Sequence, residues 1–158
     1  MKIRNISLCL EDKRHKNFLI RLFKESHEEL NLITNINEEE KEKIIYSQFI
    51  MEQQQLRQAY PEAKLNIIIC NNEPIGKLYI NYGYKEERIL EIGILKKFRR
   101  QGICKKIVTK VIEEALVKEK AVSLQVAWFN VVAYNFYENL GFKVIEDKGA
   151  FYEMKYIR

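Results

Sequence analysis

The residues with the clearest chemical potential lie in one basic segment, residues 92–106, which reads IGILKKFRRQGICKK. Its apolar start favours a buried strand, a basic loop follows, and a helical pattern begins at Gly102. The first N–H groups of a helix lack partners within the helix, and they carry partial positive charge. Because Gly102 has no side chain, a phosphate can approach this backbone closely. The segment therefore predicts an anion site with counter-charges from Arg99, Arg100, Lys105 and Lys106.

The residues alone leave two other interpretations of this segment open. It is equally typical of a solvated loop before an amphipathic helix. A nucleic-acid-binding face along residues 96–106 is the other, and it would make binding steeply dependent on salt. The basic residues concentrate before one helix, which favours a compact polyphosphate over a nucleic acid. The spacing of Gly93 and Gly102 excludes a dinucleotide-binding fingerprint, and no P-loop Gly-Lys-Ser/Thr occurs.

The hydrophobic pattern places the segment in a mixed α/β or α+β domain with one sheet. Asn37, followed by three glutamates, predicts the start of a helix that Pro61 ends. Asn130 and Gly141 similarly predict the two ends of a short helix. The predicted order is a strand at 2–9, two helices at about 18–30 and 38–60, strands at 65–70, 75–82 and 89–95, a helix from 102, a strand at 122–128, a helix at 133–140, and a hairpin of strands 142–145 and 151–156.

Two motifs in these elements resemble the GNAT superfamily of N-acetyltransferases. Arg99-x-x-Gly102-x-Cys104 is similar to the family's pyrophosphate loop, Gln/Arg-x-x-Gly-x-Gly/Ala. Residues 130–142, NVVAYNFYENLGF, are similar to its second hallmark, Asn-x-x-Ala-x-x-(aromatic or Leu)-Tyr-Glu-x-Leu-Gly-Phe. Both occur in the family's order, separated by a predicted helix and strand. Two departures are Cys104, where glycine or alanine is usual, and Lys96, where proline is frequent.

The resemblance implies that residues 1–158 form a single GNAT domain, with a mixed, mostly antiparallel central sheet of about seven strands flanked by about four helices. It implies an N-acetyltransferase that uses acetyl-CoA as co-substrate, with direct attack by an amine in a ternary complex. It also implies that loop amides hold the pyrophosphate, and that a backbone N–H in a β-bulge near Ile94 holds the oxyanion. The cofactor-binding residues implied are Ile94, Leu95, Arg99, Arg100, Gln101, Gly102, Ile103, Cys104, Lys105, Asn130, Ala133 and Phe136.

Two residues are the catalytic candidates, Tyr137 and Glu91. The resemblance places the Tyr137 hydroxyl near the coenzyme A sulfur, where a phenol can protonate a leaving thiolate; the alternative is a packing role beside Phe136. Glu91 would be the general base if it points into the cleft, or a solvated strand residue if it points outward. Asn130 would bond pantetheine, cap its helix, or do both. Glu28, Glu86 and Glu87 are further candidate bases, and an amine that binds deprotonated needs none.

Composition limits the remaining possibilities. The mix of 47% hydrophobic and 31% charged residues indicates a globular chain rather than disorder. No apolar run approaches the roughly 20 residues of a membrane helix, and the N-terminus lacks the apolar core of a signal peptide. Three widely spaced cysteines suggest neither a metal site nor a disulfide framework. We therefore expect a cytoplasmic protein without metal, membrane or nucleic-acid partner.

The acceptor and the assembly are not readable from the sequence. The expected acceptor is a small-molecule or peptide amine, and the resemblance makes a homodimer one expectation. A coenzyme A-binding sensor without catalysis is the main rival function, and the presence of Tyr137 favours the enzyme.

Overall fold

The computed structural model describes residues 5–157, apart from the side chain of Asn31. Within these residues, seven strands and four α-helices form a mixed α/β fold, which confirms the predicted class and element order. The elements are β1 Ile6–Leu10, α1 Lys16–Ser26, α2 Glu38–Ala59, β2 Lys64–Cys70, β3 Glu73–Tyr82, β4 Glu86–Ile94, α3 Ile103–Val117, β5 Ala121–Ala127, α4 Val131–Leu140, β6 Lys143–Asp147 and β7 Phe151–Tyr156.

Local sequence signals set most of these boundaries. The Asn37 side chain accepts a hydrogen bond from the Glu40 N–H at 2.8 Å, so α2 begins where its cap was predicted. The helix ends just before Pro61, as expected of a residue that cannot continue it. Of the first predicted strand, residues 2–4 lie outside the described part of the chain, and β1 continues to Leu10. Helix α3 buries six apolar residues along one face, and Leu116 on the same helix is half-buried; the six are Ile103, Ile107, Val108, Val111, Ile112 and Ala115.

The strands are hydrogen-bonded in the order β1-β2-β3-β4-β5-β7-β6, so β7 lies inside the sheet although it is last in sequence. Strand β1 is antiparallel to β2, and β7 is antiparallel to both β5 and β6. Strands β4 and β5 are parallel. A parallel pair needs a crossover connection, and α3 lies in the connection between these two strands.

The described residues group into two compact units. The first contains residues 5–78 and 93–99, and α1 and α2 pack there around Leu19, Phe23 and Phe49. The second contains residues 79–92 and 100–157, with α3, α4 and the strands from β5 onward. Its buried side chains include Val108, Leu124, Phe142 and Met154.

Within the first unit, β3 and the end of β4 approach closely at Gly76. A Cβ at this position would lie 2.3 Å from the Gly93 carbonyl oxygen and 2.6 Å from the Ile94 Cγ2 atom. The Leu95 N–H also donates to the Ile75 carbonyl at 2.8 Å, so the approach continues past the end of β4. Only glycine fits here without displacing backbone.

We expect Gly76→Ala to lower the free energy of unfolding by about 1–3 kcal/mol, because the added methyl group must push β4 away. Urea denaturation measures the loss. Gly93→Ala is the matched control, since a Cβ there meets nothing within 4 Å, and it should change stability by less than about 1 kcal/mol. Equal effects of the two substitutions would contradict the close approach.

Candidate functional site

The start of α3 forms an open, positively charged turn. Gly102 adopts left-handed backbone with φ +78°, and a Cβ there would meet nothing within 4 Å. Its carbonyl accepts from the Lys106 N–H at 3.0 Å, so helical hydrogen bonding begins at this residue. Arg100, at φ 61°, also lies in the left-handed region. The side chains of Arg100, Gln101 and Lys105 are exposed around this turn. An anion can therefore approach the first-turn amides from solvent.

The preceding basic residues, in the first unit, are bound to protein groups. The Lys96 N–H donates to the Glu25 carboxylate at 2.7 Å, and the Lys96 ammonium pairs with Glu28. Lys97 pairs with Glu73 at 3.8 Å. The predicted basic run is thus partly neutralised, and its Glu28 carboxylate, one of the candidate bases, is held by Lys96.

Arg99, predicted as a phosphate counter-charge, is placed differently from Arg100. Its Nε donates to the Ile94 carbonyl at 3.3 Å, which ties the loop back to the end of β4. The Ile94 and Leu95 side chains are buried, so any ligand contact at these two residues must come from backbone. Because the Leu95 N–H already bonds to Ile75, a predicted oxyanion donor must be sought elsewhere along β4.

Helix α4 carries the second motif, in the second unit. The Asn130 Oδ1 accepts from the Ala133 N–H at 3.1 Å, so the capping role predicted for Asn130 is present. This bond uses only the carbonyl end of the amide, and the exposed side chain retains its Nδ2 donors. Phe136 is half-buried and packs edge to face against Tyr137, with ring centroids 5.1 Å apart.

The two motifs approach each other at Cys104 and Tyr137, which are close enough for electrostatic interaction. Tyr137 is only 8% exposed and packs edge to face against Phe142, with ring centroids 5.4 Å apart. Burial raises the pKa of the Tyr137 phenol well above its ordinary value of 10, and the nearby Cys104 thiol raises it further. The phenol is therefore protonated at neutral pH. Tyr137 therefore packs in the core, which was the alternative to a catalytic role, and its phenol also remains protonated.

Strand β4 carries Glu91, the candidate base, beyond the point where β4 stops pairing with β5. Their parallel register covers the pairs Glu86–Ala121, Glu87–Val122 and Arg88–Ser123, although both strands continue further. Alternation along β4 puts Glu91 on the same face as Glu87, which is 1% exposed and pairs with Lys118 at 3.4 Å. Glu91 itself is half-buried, which disfavours the fully solvated alternative.

A buried ion pair that sequence reasoning missed lies where this pairing ends. The Arg88 guanidinium makes two hydrogen bonds to the Glu153 carboxylate, at 2.6 and 3.0 Å, and a third to the Ser123 Oγ at 3.1 Å. Arg88 and Glu153 are 65 residues apart in sequence. Both look like ordinary charged strand residues, so only the strand order could have brought them together.

Sequence reasoning also missed Glu25, which lies in the last turn of α1 and holds the Lys96 N–H across 71 residues of sequence. No local pattern distinguishes this glutamate from its exposed neighbours.

Residues 5–157 carry neither a cluster suited to a metal ion nor a helix suited to a membrane. That part of the chain holds no group of three or more His, Cys, Asp or Glu side chains arranged for a metal ion. None of its helices combines the length and the apolar character needed to cross a bilayer.

Comparison with solved structures shows the fold of the whole chain. The PaiA N-acetyltransferase of Thermoplasma acidophilum, in complex with coenzyme A, is 18% identical over 98% of this chain and 100% of that chain, with a TM-score of 0.71. A GNAT family acetyltransferase of Elizabethkingia anophelis with acetyl-CoA bound is 16% identical over 98% and 99%, with a TM-score of 0.58. Naa50 of Arabidopsis thaliana, in complex with the bisubstrate analogue CoA-Ac-MVNAL, is 15% identical over 95% and 97%, also at 0.58.

The family follows from the sequence itself. No curated protein matched the sequence. A model of the acetyltransferase (GNAT) family, however, matches residues 21–142, which include both motifs. The structural neighbours have the fold that this family implies. The chain therefore belongs to the acetyltransferase (GNAT) family.

Proposed function

We propose that this chain is an N-acetyltransferase, acting as one domain, that transfers the acetyl group of acetyl-CoA to an amine by direct attack in a ternary complex. The observation that carries the proposal is the proximity of the two motifs. The turn suited to a pyrophosphate opens α3, and one residue into that helix, Cys104 is close enough to the buried, protonated Tyr137 to interact with it electrostatically. The pyrophosphate end of a long thioester cofactor needs an anion-binding turn, and its thioester end needs a group such as the Tyr137 phenol.

The described residues fit such a cofactor. The space beside Gly102, which a side chain would fill, admits a phosphate to the first-turn amides, with Arg100 and Lys105 exposed nearby. The Nδ2 donors of Asn130 would bind pantetheine carbonyl groups. When bound, acetyl-CoA supplies an acetyl group already activated as a thioester. The proposed binding set is Ile94, Leu95, Arg99, Arg100, Gln101, Gly102, Ile103, Cys104, Lys105, Asn130, Ala133 and Phe136, in which Arg99 acts by tethering the loop to β4.

The chain's own groups would handle the protons. Tyr137 would stabilise the departing thiolate by a hydrogen bond from its phenol, and the raised pKa keeps that phenol protonated at neutral pH. A backbone N–H of β4 before Leu95 stabilises the oxyanion. Glu91 accepts the amine proton, directly or through water; its half-buried position on β4, beyond the residues that pair with β5, supports this role.

The acceptor is an amine on a small molecule or a peptide. Peptide acceptors are supported by analogy with Naa50, whose complex contains a bisubstrate analogue. The three cysteines are free, as is usual in the cytoplasm. The neutralisation of Lys96 and Lys97 by glutamates favours a cofactor loop over a nucleic-acid-binding face.

We expect Gly102→Glu to weaken acetyl-CoA binding at least about 100-fold, because a carboxylate would occupy the phosphate space and repel its charge. Titration calorimetry of the purified protein measures the dissociation constant. Gly149→Glu is the control, since Gly149 also has positive φ and a Cβ added there would meet nothing within 4 Å. This variant should bind acetyl-CoA normally. No binding by folded wild-type protein would refute the proposal, and retention of nucleic acid at low salt would then favour the nucleic-acid alternative.

We expect Tyr137→Phe to lower kcat about 100-fold or more while the dissociation constant for acetyl-CoA changes little, since only the proton donor is lost. Tyr134→Phe, on the same helix, should stay within about twofold of wild type. Because the pKa of Tyr137 is raised, the wild-type rate should not decline from loss of this proton as pH rises to 10. Cofactor binding without transfer to any amine in an acceptor screen would favour the sensor instead.

A further inference from the structure

We propose that the Arg88–Glu153 ion pair is a positioning device, which fixes the opening between β4 and β5 and thereby the affinity for the pantetheine arm of the cofactor. The inference rests on the proposed function, because it concerns how the same site is held open. Arg88, Ser123 and Glu153 belong to three neighbouring strands, β4, β5 and β7. The three side chains form one connected hydrogen-bonded group.

The location of this group is the first support. Arg88 and Ser123 form the last pair of the β4–β5 register. Beyond it, β5 continues to Ala127 and pairs residue by residue with β7, where Gln125 faces Glu153. The Arg88 side chain therefore extends beyond the last β4–β5 residue pair and binds the Glu153 carboxylate, which lies opposite Gln125. Side-chain hydrogen bonds of Arg88 thus take over from the backbone pairing of β4 and β5 at the point where the two strands separate.

The rigidity of the tie is the second support. A guanidinium that makes two parallel bonds to one carboxylate is fixed in orientation as well as in distance. The side chains of Arg88 and Glu153 are only 17% and 10% exposed, so water competes weakly for these bonds. Burial alone would raise the pKa of Glu153, but the hydrogen bonds and charge of Arg88, with smaller effects of Gln125 and Lys148, hold that pKa below its ordinary value. The pair is therefore charged at neutral pH.

The chemistry of the opening is the third support. Strand edges present N–H and C=O groups that bind extended amides, as an added strand would. The pantetheine arm contains two amide groups in an extended chain and has this chemistry. Such pairing depends on the separation of the two edges, so a group that sets their divergence would control affinity rather than supply a contact.

The test compares two variants of the pair with a matched control in the full-length protein. Glu153→Gln removes the charge, and Arg88→Lys keeps it but loses the two-pronged geometry. Glu11→Gln is the control, since the Glu11 carboxylate is 12% exposed and binds Arg57 at 2.8 Å. The readouts are Tm, the dissociation constant for acetyl-CoA by calorimetry, and the separate kcat and KM values with an accepted amine.

We expect Glu153→Gln to lower Tm by roughly 5–10 °C and to raise the acetyl-CoA dissociation constant about tenfold, with KM for the cofactor rising and kcat changing less. Arg88→Lys should give a smaller increase, about threefold. Glu11→Gln should lower Tm without changing the dissociation constant. If Glu153→Gln does not fold, Arg88→Lys decides the question.

The outcomes separate this inference from the proposed function. Normal cofactor affinity in folded Glu153→Gln and Arg88→Lys would overturn the positioning role and leave the acetyltransferase standing. A wild-type protein that binds no acetyl-CoA would instead overturn the proposed function itself. Equal loss of affinity in Glu11→Gln would also overturn the inference, since general destabilisation would then explain the effect.

Discussion

The parallel pairing of β4 and β5 ends at Arg88 and Ser123, and the rest of the candidate site depends on this constraint. Two extended strands that stop pairing must satisfy their edges differently. Strand β5 stays paired with β7 along its other edge as far as Ala127. The Arg88 side chain crosses to Glu153 of β7 where the β4–β5 pairing ends, so an ion pair marks the point at which the two strands diverge.

Helices α3 and α4 contribute to the candidate site through the residues at which they begin and through the packing of Tyr137. Helix α3 begins at a glycine, which exposes its first amides, and α4 begins at a capping asparagine that retains two donors. In the proposed function, the proximity of Cys104 and Tyr137 brings the end of α3 that would bind the pyrophosphate near the phenol that would act on the departing sulfur. The protonation of Tyr137 comes mainly from its burial among aromatic rings, so packing and acid–base chemistry are one property of this side chain.

Much of this could be read from the sequence, because the relevant signals are local. The caps at Asn37 and Asn130 and the start of α3 at Gly102 are set within a few residues, and each lies where it was predicted. Two interactions were not predictable in this way: the ion pair of Arg88 with Glu153, and the hydrogen bond from the Lys96 N–H to the Glu25 carboxylate. Each joins residues more than sixty positions apart, and charged residues on strands and helix ends look alike until the topology is known.

The interior position of β7 has a consequence for how the protein is made. The strand is synthesised after all the others, yet it separates β5 from β6 and supplies Glu153 and the Tyr156 ring against Phe142. A nascent chain emerging from the ribosome can form its early helices and β1–β2 pairing, but it cannot close this half of the sheet. The second unit therefore completes its part of the sheet only after β7 has been synthesised, and until then β5 and β6 expose bare edges that a chaperone or another nascent chain could engage.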